Sequence, residues 1–224
     1  RVFSLAGASV GLNERQLKMA GKTYKAVHVT ANDHAGYFPG ATSIFLKLLF
    51  NPKDGTIYGA QAVGQKGVDK RIDIIATAIK GHLTVEDLME LEFTYAPPFG
   101  SAKDPVNMVG YAATNIVEGL SDNIQWHELD KKKEEGAFLL DVRDESEVRR
   151  SGAIKGFVNI PLNSLIERLS EIPEGREIVV SCASAQRSYM AERLLKQKGY
   201  RAVNLSGAFN IYRLVKSEEI EYYV

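Results

Sequence analysis

The sequence predicts two domains of different class. The first is an α+β domain with an antiparallel sheet and helices, and the second an α/β domain with a parallel sheet. Three observations carry this. In the first half the strand-like runs come first and the helical runs follow. In the second half short apolar runs alternate with helical stretches, the order expected of crossover units and a sheet covered on both faces. Between them lies Glu118-Gly119-Leu120-Ser121-Asp122-Asn123, where the texture of the chain changes. The expected organisation is residues 1–118, a linker over 119–123, and a second domain over 124–224.

The first-half elements follow from local pattern. Tyr24–Asn32 alternates loosely between apolar and polar residues. Thr42–Phe50 and Thr56–Val63 are strand-like runs joined by Asn51-Pro52-Lys53-Asp54-Gly55, a turn ending in Asp-Gly. Val68, Ile72, Ile75, Ala76 and Ile79 recur at helical spacing, and Gly81 ends that helix. Thr84-Val85-Glu86-Asp87 places a capping residue before early acidic ones and opens a short helix through Leu91. Asp104-Pro105 announces another, carrying Val106, Val109 and Ala113. In the second half Ala137–Val142, Ile178–Ser181 and Ala202–Leu205 are the strand candidates. Asn163–Leu169 and Tyr189–Lys198 are helical ones.

Composition removes several classes of function. The chain has 28 basic and 28 acidic residues, divided 12 against 11 before residue 120 and 16 against 17 after it. Neither half supplies a field for nucleic acid or an anionic membrane. No apolar stretch approaches the ~18–20 residues that span a bilayer. One cysteine precludes an internal disulfide and suits a reducing, cytoplasmic setting. Opening on Arg1 rather than methionine, with no signal-like segment, the chain is expected to be a piece of a longer polypeptide.

Cys182 is the most informative residue. It ends the β-branched run Ile178-Val179-Val180-Ser181 and is followed by Ala183, Ser184, Ala185, Gln186, Arg187 and Ser188. Ligands of parallel sheets bind beyond the carboxyl ends of the strands, which is where this thiol falls. A short loop of small residues can turn its backbone N–H groups toward the sulfur. A helix starting near Ser188 adds its positive end, and Arg187 adds a permanent cation. Together these favour a thiolate nucleophile and a stabilised terminal sulfur anion. A lone cysteine at a strand end is otherwise a small packing residue. The spacing to Arg187 and the strand–loop–helix setting favour the nucleophile.

These residues carry a resemblance. Roughly over Ile124–Val215 the chain resembles the rhodanese (sulfurtransferase) domain. Leu139-Leu140-Asp141-Val142-Arg143-Asp144 is similar to the family's Asp-Val-Arg strand, with Glu147 at the following acidic position. Gly152–Leu162 is similar to its Gly-His-Ile-x-Gly-Ala-x-Asn-Ile-Pro segment, and Val203–Gly207 to its closing passage. The resemblance implies that Cys182 carries a persulfide sulfur while Arg187 and the loop amides hold the anion. Four residues separate Cys182 from Arg187. The related phosphatases place five there, which makes phosphatase chemistry the weaker alternative. Ala153 replaces the usual histidine, and Ala185 a frequent glycine, which leaves the loop's backbone geometry open. Asp141 and Arg143 are expected to be mainly structural.

The first half resembles the dimerisation domain of the pyridine nucleotide-disulfide oxidoreductases, in their coenzyme A-disulfide reductase branch. The matching passages are His34–Gly40, Gly59–Gly64, Gly67–Asp73 and Tyr95–Asn107. The resemblance implies a homodimer through residues 1–118, with Tyr37 and Tyr95 reaching the partner's redox-active centre. A phenol donates to a leaving thiolate while staying neutral. This half has no glycine-rich dinucleotide fingerprint and no redox cysteine. The resemblance implies FAD, NAD(P)H and coenzyme A for the full-length enzyme, with flavin and nicotinamide domains outside this chain, and no cofactor is expected bound within it.

The substrates implied are a persulfide, polysulfide or CoA disulfide. His34 is expected to be a turn or interface residue. His28, His82 and His127 show no ligand spacing, and no metal is expected. Lys70 and Arg71 are expected in surface or interface ion pairs, and Lys131–Lys133 on a solvated helix face. The rival to a catalytic rhodanese domain is a non-catalytic docking or regulatory module.

Overall fold

The computed structural model describes residues 1–223, which divide into two compact units, Arg1–Gly119 and Leu120 onward. In the first unit β1 (Ala6–Gly11), β2 (Lys25–Asn32), β3 (Ser43–Phe50) and β4 (Ile57–Gly64) form an antiparallel sheet in the order β1-β4-β3-β2. Ile44, Leu46, Leu48 and Phe50 alternate along β3 onto one face, and α2 (Val68–Lys80) and α4 (Pro105–Val117) cover them. The opposite face holds a smaller cluster of Leu17, Ala26 and Leu49, under α1 (Glu14–Met19). Both β1 and α1 were absent from the sequence expectations, since the Gly/Ala/Ser-rich run at 6–11 carries no clear period.

The short α3 (Val85–Glu90) is opened by a Thr84–Asp87 capping box, and α4 by Asp104 before Pro105. These two helices touch along their backbones at Gly110. A Cβ there would lie 2.7 Å from the Met89 nitrogen, so only a residue without a side chain permits the approach.

The second unit is a five-stranded parallel sheet of β5 (Asn123–Ile124), β6 (Phe138–Asp141), β8 (Val158–Asn159), β9 (Glu177–Ser181) and β10 (Arg201–Leu205), ordered β5-β10-β9-β6-β8. Its strands β6, β9 and β10 are buried on both faces. Ile178 and Val180 of β9 enter one cluster and Val179 enters the other, with Leu140 and Leu139 dividing likewise on β6. That two-sided burial explains why these strands read as continuous apolar runs. The connecting helices are α5 (Leu129–Glu134), α6 (Glu145–Ser151), α7 (Gln186–Gln197) and α8 (Ala208–Val215). A small ribbon pairs β7 (Ala153–Ile154) with β11 (Ile220–Glu221).

Several expectations differ from the structure. Asn163–Leu169 is not an α-helix: short 3-10 turns occupy Leu162–Ser164 and Leu169–Glu171, and only Leu165 between them is fully buried. Leu162 and Leu169 pack partly buried against the same cluster as Leu165, so the apolar spacing that suggested a helix is used by two short turns instead. The segment expected as a linker is fastened to the second unit. Asn123–Ile124 pairs with β10, and the buried Glu192 carboxylate accepts from the Ser121 hydroxyl and the Asp122 amide (2.8 Å). Burial pushes the Glu192 carboxyl up from its ordinary range, against these donors and Lys196. Lys132 and Lys133 of the expected solvated face reach Glu177 and Glu219, while Lys131 is exposed. Among the described residues no helix is long and apolar enough to cross a membrane.

Replacing Gly110 by alanine should destabilise the first unit by about 1–3 kcal/mol through overpacking, despite alanine's better helix propensity. Urea denaturation would read this, and a more stable variant would contradict the close approach.

Candidate functional site

The thiol of Cys182 stands one residue beyond the carboxyl end of β9, between β10 and β6 in sheet order. It is nearly buried, at 1% exposure, and packs with Leu140, Val142, Ile160 and Ala191. The sulfur lies 3.4 Å from the hydroxyl of Ser188, on the first turn of α7. That hydroxyl donates to the Asn204 side-chain oxygen at 2.7 Å, and the Asn204 amide nitrogen donates to the Ala185 carbonyl at 3.0 Å. One side chain on the neighbouring strand β10 thus fixes both the loop and the serine. The first amides of α8 complete the arrangement: Phe209 N–H donates to the Cys182 carbonyl and Asn210 N–H to that of Ala183, both at 3.0 Å.

Ala185 takes the left-handed conformation, with φ +73° and ψ −3°. A Cβ makes that conformation costly, by roughly 1–2 kcal/mol, and it is the geometry for which glycine is suited. The turn lets α7 begin at Gln186, two residues ahead of the expected start. Ala183, Ser184 and Ala185 form the small-residue loop, and Gln186 of the expected loop is the first residue of α7.

Arg187 does not stand free. Its terminal nitrogens donate to both oxygens of Glu147, at 2.6 and 2.8 Å, and the Asp144 carboxylate lies 3.7 Å away. Glu147 sits in the first turn of α6, where it also accepts from the Asp144 amide. The Arg187 guanidinium, opposed by partial desolvation and helped by that amide, holds the Glu147 carboxyl down at about 2. Arg187 is raised in turn by Glu147, with the Cys182 sulfur contributing to the field around it. Asp141 and Arg143 form a fully buried pair at 2.6 Å. Arg143 also donates to the Gly152 carbonyl and stacks 4.0 Å over the Phe209 ring. Both are structural, tying the end of β6 to α6 and α8.

A second group of residues belongs to the first unit. The hydroxyls of Tyr37 and Tyr95, separated by 58 positions in sequence, lie 3.2 Å apart and are exposed. The bond to Tyr95 raises the Tyr37 phenol above its ordinary range. The two loops are zipped together by the Ala35 amide, which donates to the Gly100 carbonyl at 2.9 Å. Beneath them Arg71 of α2 is 2% exposed. It donates to both Asp104 oxygens (2.7 and 3.2 Å) and to the Asp33 carbonyl (2.7 Å).

The expectation of a surface or interface ion pair at Arg71 is thus corrected: its pair with Asp104 is buried within the first unit, beneath both tyrosine loops. Lys70, its neighbour on α2, faces out. His34 is also buried, with Nδ1 2.8 Å from Asp33 and its ring edge-on to Phe38. Burial raises the Asp33 carboxyl, but bonds from Thr42 and His34 more than offset this and leave it lowered. Among the described residues no group of three or more His, Cys, Asp or Glu could hold a metal ion.

Within the first unit the structure brings Tyr37 and Tyr95 together, and within the second it sets Cys182 beside Ser188. Sequence reasoning missed the residues that hold them: Arg71 and Asp104 for the tyrosines, Glu147 and Asn204 for the loop. Their only signal was membership of the quoted motifs, where nothing local distinguishes a clamp from a surface residue.

Both folds are matched by known families. Residues 2–105 match the pyridine nucleotide-disulphide oxidoreductase dimerisation domain, and residues 125–213 match the rhodanese-like domain. The chain therefore joins one domain from each of these families.

Particular relatives match either half of the chain or nearly all of it. The structure superposes on reduced CoADR-RHD of Bacillus anthracis with a TM-score of 0.96 and 53% identity, over 99% of this chain and 40% of that one. It superposes on an NAD-dependent persulfide reductase from A. fulgidus with a TM-score of 0.85 and 39% identity, over 95% of this chain and 38% of that one. Coenzyme A disulfide reductase of Staphylococcus aureus (strain bovine RF122 / ET3-1) is 42% identical over 113 residues, half of this chain and a quarter of that protein. The chain thus spans a quarter to two fifths of the length of these relatives.

Two outcomes follow from the geometry. Replacing Arg71 by methionine leaves the Asp104 carboxylate buried without its partner. It should cost about 3–5 kcal/mol of first-unit stability, read by urea denaturation. For Glu147 the folded carboxyl is depressed, so its contribution is complete above the unfolded value of about 4.5 and is lost as pH falls toward about 2. The gap in melting temperature between wild type and Glu147→Gln should accordingly narrow below pH 4.5, and a gap that widened on acidification would contradict the pairing.

Proposed function

We propose that this chain is the C-terminal portion of a flavin- and NAD(P)H-dependent reductase of CoA disulfides, persulfides or polysulfides. Residues 1–118 are its dimerisation domain and residues 124–224 a rhodanese domain. Cys182 accepts a sulfane sulfur, and Tyr37 and Tyr95 serve the reductive site of a partner subunit in a homodimer. The observation that supports this best is the presence, in one chain, of a thiol on a four-residue loop at the end of β9 and two phenols 3.2 Å apart.

The sequence contains no Gly-x-Gly-x-x-Gly fingerprint for a dinucleotide. FAD and NAD(P)H are supplied by other domains of the same polypeptide, and the CoA disulfide is a substrate whose leaving thiolate the two phenols serve. What the chain's own residues do is narrower. The Ser188 hydroxyl meets the sulfur, Asn204 aims that serine, and the α8 amides hold the loop carbonyls. Arg187 stands at the start of α7 as the loop's cation. Near-complete burial of Cys182 lets a donor present only its terminal sulfur. At the tyrosine pair, a neutral phenol donates its proton to a departing thiolate while the second phenol orients it.

Two observations favour the docking or regulatory alternative: Arg187 is held by Glu147, and the thiol is nearly covered. A phosphatase-like reading is weakened by the same ion pair, which leaves no free guanidinium fork for a phosphate.

Incubating the chain with inorganic polysulfide, then with cyanide, separates these readings. Wild type should gain one sulfur atom by intact mass and release thiocyanate, and Cys182→Ser should do neither above background. In the full-length enzyme, Tyr37→Phe should lower turnover of CoA disulfide by about 10²-fold while leaving thiocyanate release intact. Equal sulfur uptake by wild type and Cys182→Ser would refute the carrier role.

A further inference from the structure

The ion pair at the loop carries a consequence for which donors the thiol accepts. The cation of the Cys182 loop, Arg187, is neutralised by Glu147 at 2.6 and 2.8 Å and faces a second carboxylate, Asp144, at 3.7 Å. The four loop residues, Ala183, Ser184, Ala185 and Gln186, carry no charge. The nearby Arg143 is fully committed to Asp141, which lies beside it in a buried and balanced pair. One arginine and two carboxylates leave the rim with a net charge of about −1, set against the loop amides and the positive end of α7. An ion of charge −2 is repelled twice as strongly from such a rim as one of charge −1.

We infer that Glu147 is a specificity-determining residue: by holding Arg187 it selects donors with a monoanionic terminal sulfur, persulfide or polysulfide, and rejects divalent oxyanions such as thiosulfate, sulfate and phosphate. The inference rests on the reading of Cys182 as a sulfur acceptor. In the accepted reaction the Cys182 thiolate attacks the outer sulfur of R–S–S⁻. The donor's S–S bond breaks, a new S–S bond forms, and RS⁻ leaves with the electron pair, giving Cys182–S–S⁻. With thiosulfate the same displacement would expel sulfite. Both balance without an external oxidant or reductant, so discrimination falls on approach of the donor and not on redox chemistry. The positioning role of Glu147 differs from a merely structural one because its removal should improve the handling of one class of ligand.

The test uses two charge-removing variants that keep local hydrogen bonding. Glu147→Gln can still accept the Asp144 amide, and Asp144→Asn still caps α6. The first readout is alkylation of Cys182 by iodoacetamide, a neutral reagent, with and without sulfate at constant ionic strength. The ratio of the two rates cancels any change in thiolate fraction. Sulfate should leave wild type unprotected and slow alkylation of Glu147→Gln at least tenfold, with a smaller effect in Asp144→Asn. The second readout is the ratio of sulfur uptake from thiosulfate to that from polysulfide, which should rise at least tenfold in Glu147→Gln. Equal sulfate protection of wild type and Glu147→Gln, or an unchanged donor ratio, would overturn the inference. Failure of wild type to take sulfur from either donor would instead overturn the carrier role, and the alkylation readout would still decide the charge selection.

Discussion

Buried backbone carbonyls must find donors, and that requirement shapes both loop systems of this chain. The loops carrying Tyr37, Tyr95 and Cys182 lie where regular hydrogen bonding has stopped. In the first unit Arg71 reaches from α2 to the Asp33 carbonyl and to Asp104, at the roots of the two tyrosine loops. In the second unit Asn204 reaches from β10 to the Ala185 carbonyl, and the first amides of α8 take those of Cys182 and Ala183. Each loop is thus held by a donor borrowed from a neighbouring regular element. A functional group on a loop is only as well placed as the scaffold that binds its backbone.

The same economy governs charge. Arg71 and Arg143 are almost entirely buried, and each is matched by a carboxylate on the same residue set that it positions. Such pairs contribute little net stability relative to apolar packing, but they are costly to break singly, which makes the geometry they define hard to relax. Arg187 is different. It is partly exposed and its partner Glu147 comes from another helix, so its charge is tuned and not merely compensated. Ala185 adds local backbone strain beside the thiol, where a glycine would have none.

Much of the architecture was legible in sequence. The strands β2, β3 and β4, the helices α2, α3 and α4, and the strands β6, β9 and β10 all announce themselves by period, caps or continuous apolar runs. The elements that were missed or misread lacked such signals. β1 is built from Gly, Ala, Ser and Val and becomes a strand because β4 offers it an edge to pair with. The stretch around Leu162–Glu171 packs Leu162, Leu165 and Leu169 on the core at helix-like spacing yet settles as 3-10 turns, which the spacing does not distinguish from an α-helix. Arg71 looked like a surface cation because Asp69, Lys70 and Asp73 surround it. Only the packing of α2 against the two loops shows that its side chain points inward.

By itself, the sequence determined the class of each half, the thiol at a strand end, its four-residue distance from an arginine, and the two tyrosines within glycine- and proline-rich turns. These are local properties, set by period, spacing and residue chemistry. Only the tertiary structure decided that Tyr37 and Tyr95 meet, that Glu147 occupies Arg187, and that Asn204 and α8 support the Cys182 loop. Those pairings join residues tens of positions apart. They exist because sheet order and helix packing bring distant segments within hydrogen-bond reach, and no pattern along the chain encodes that distance.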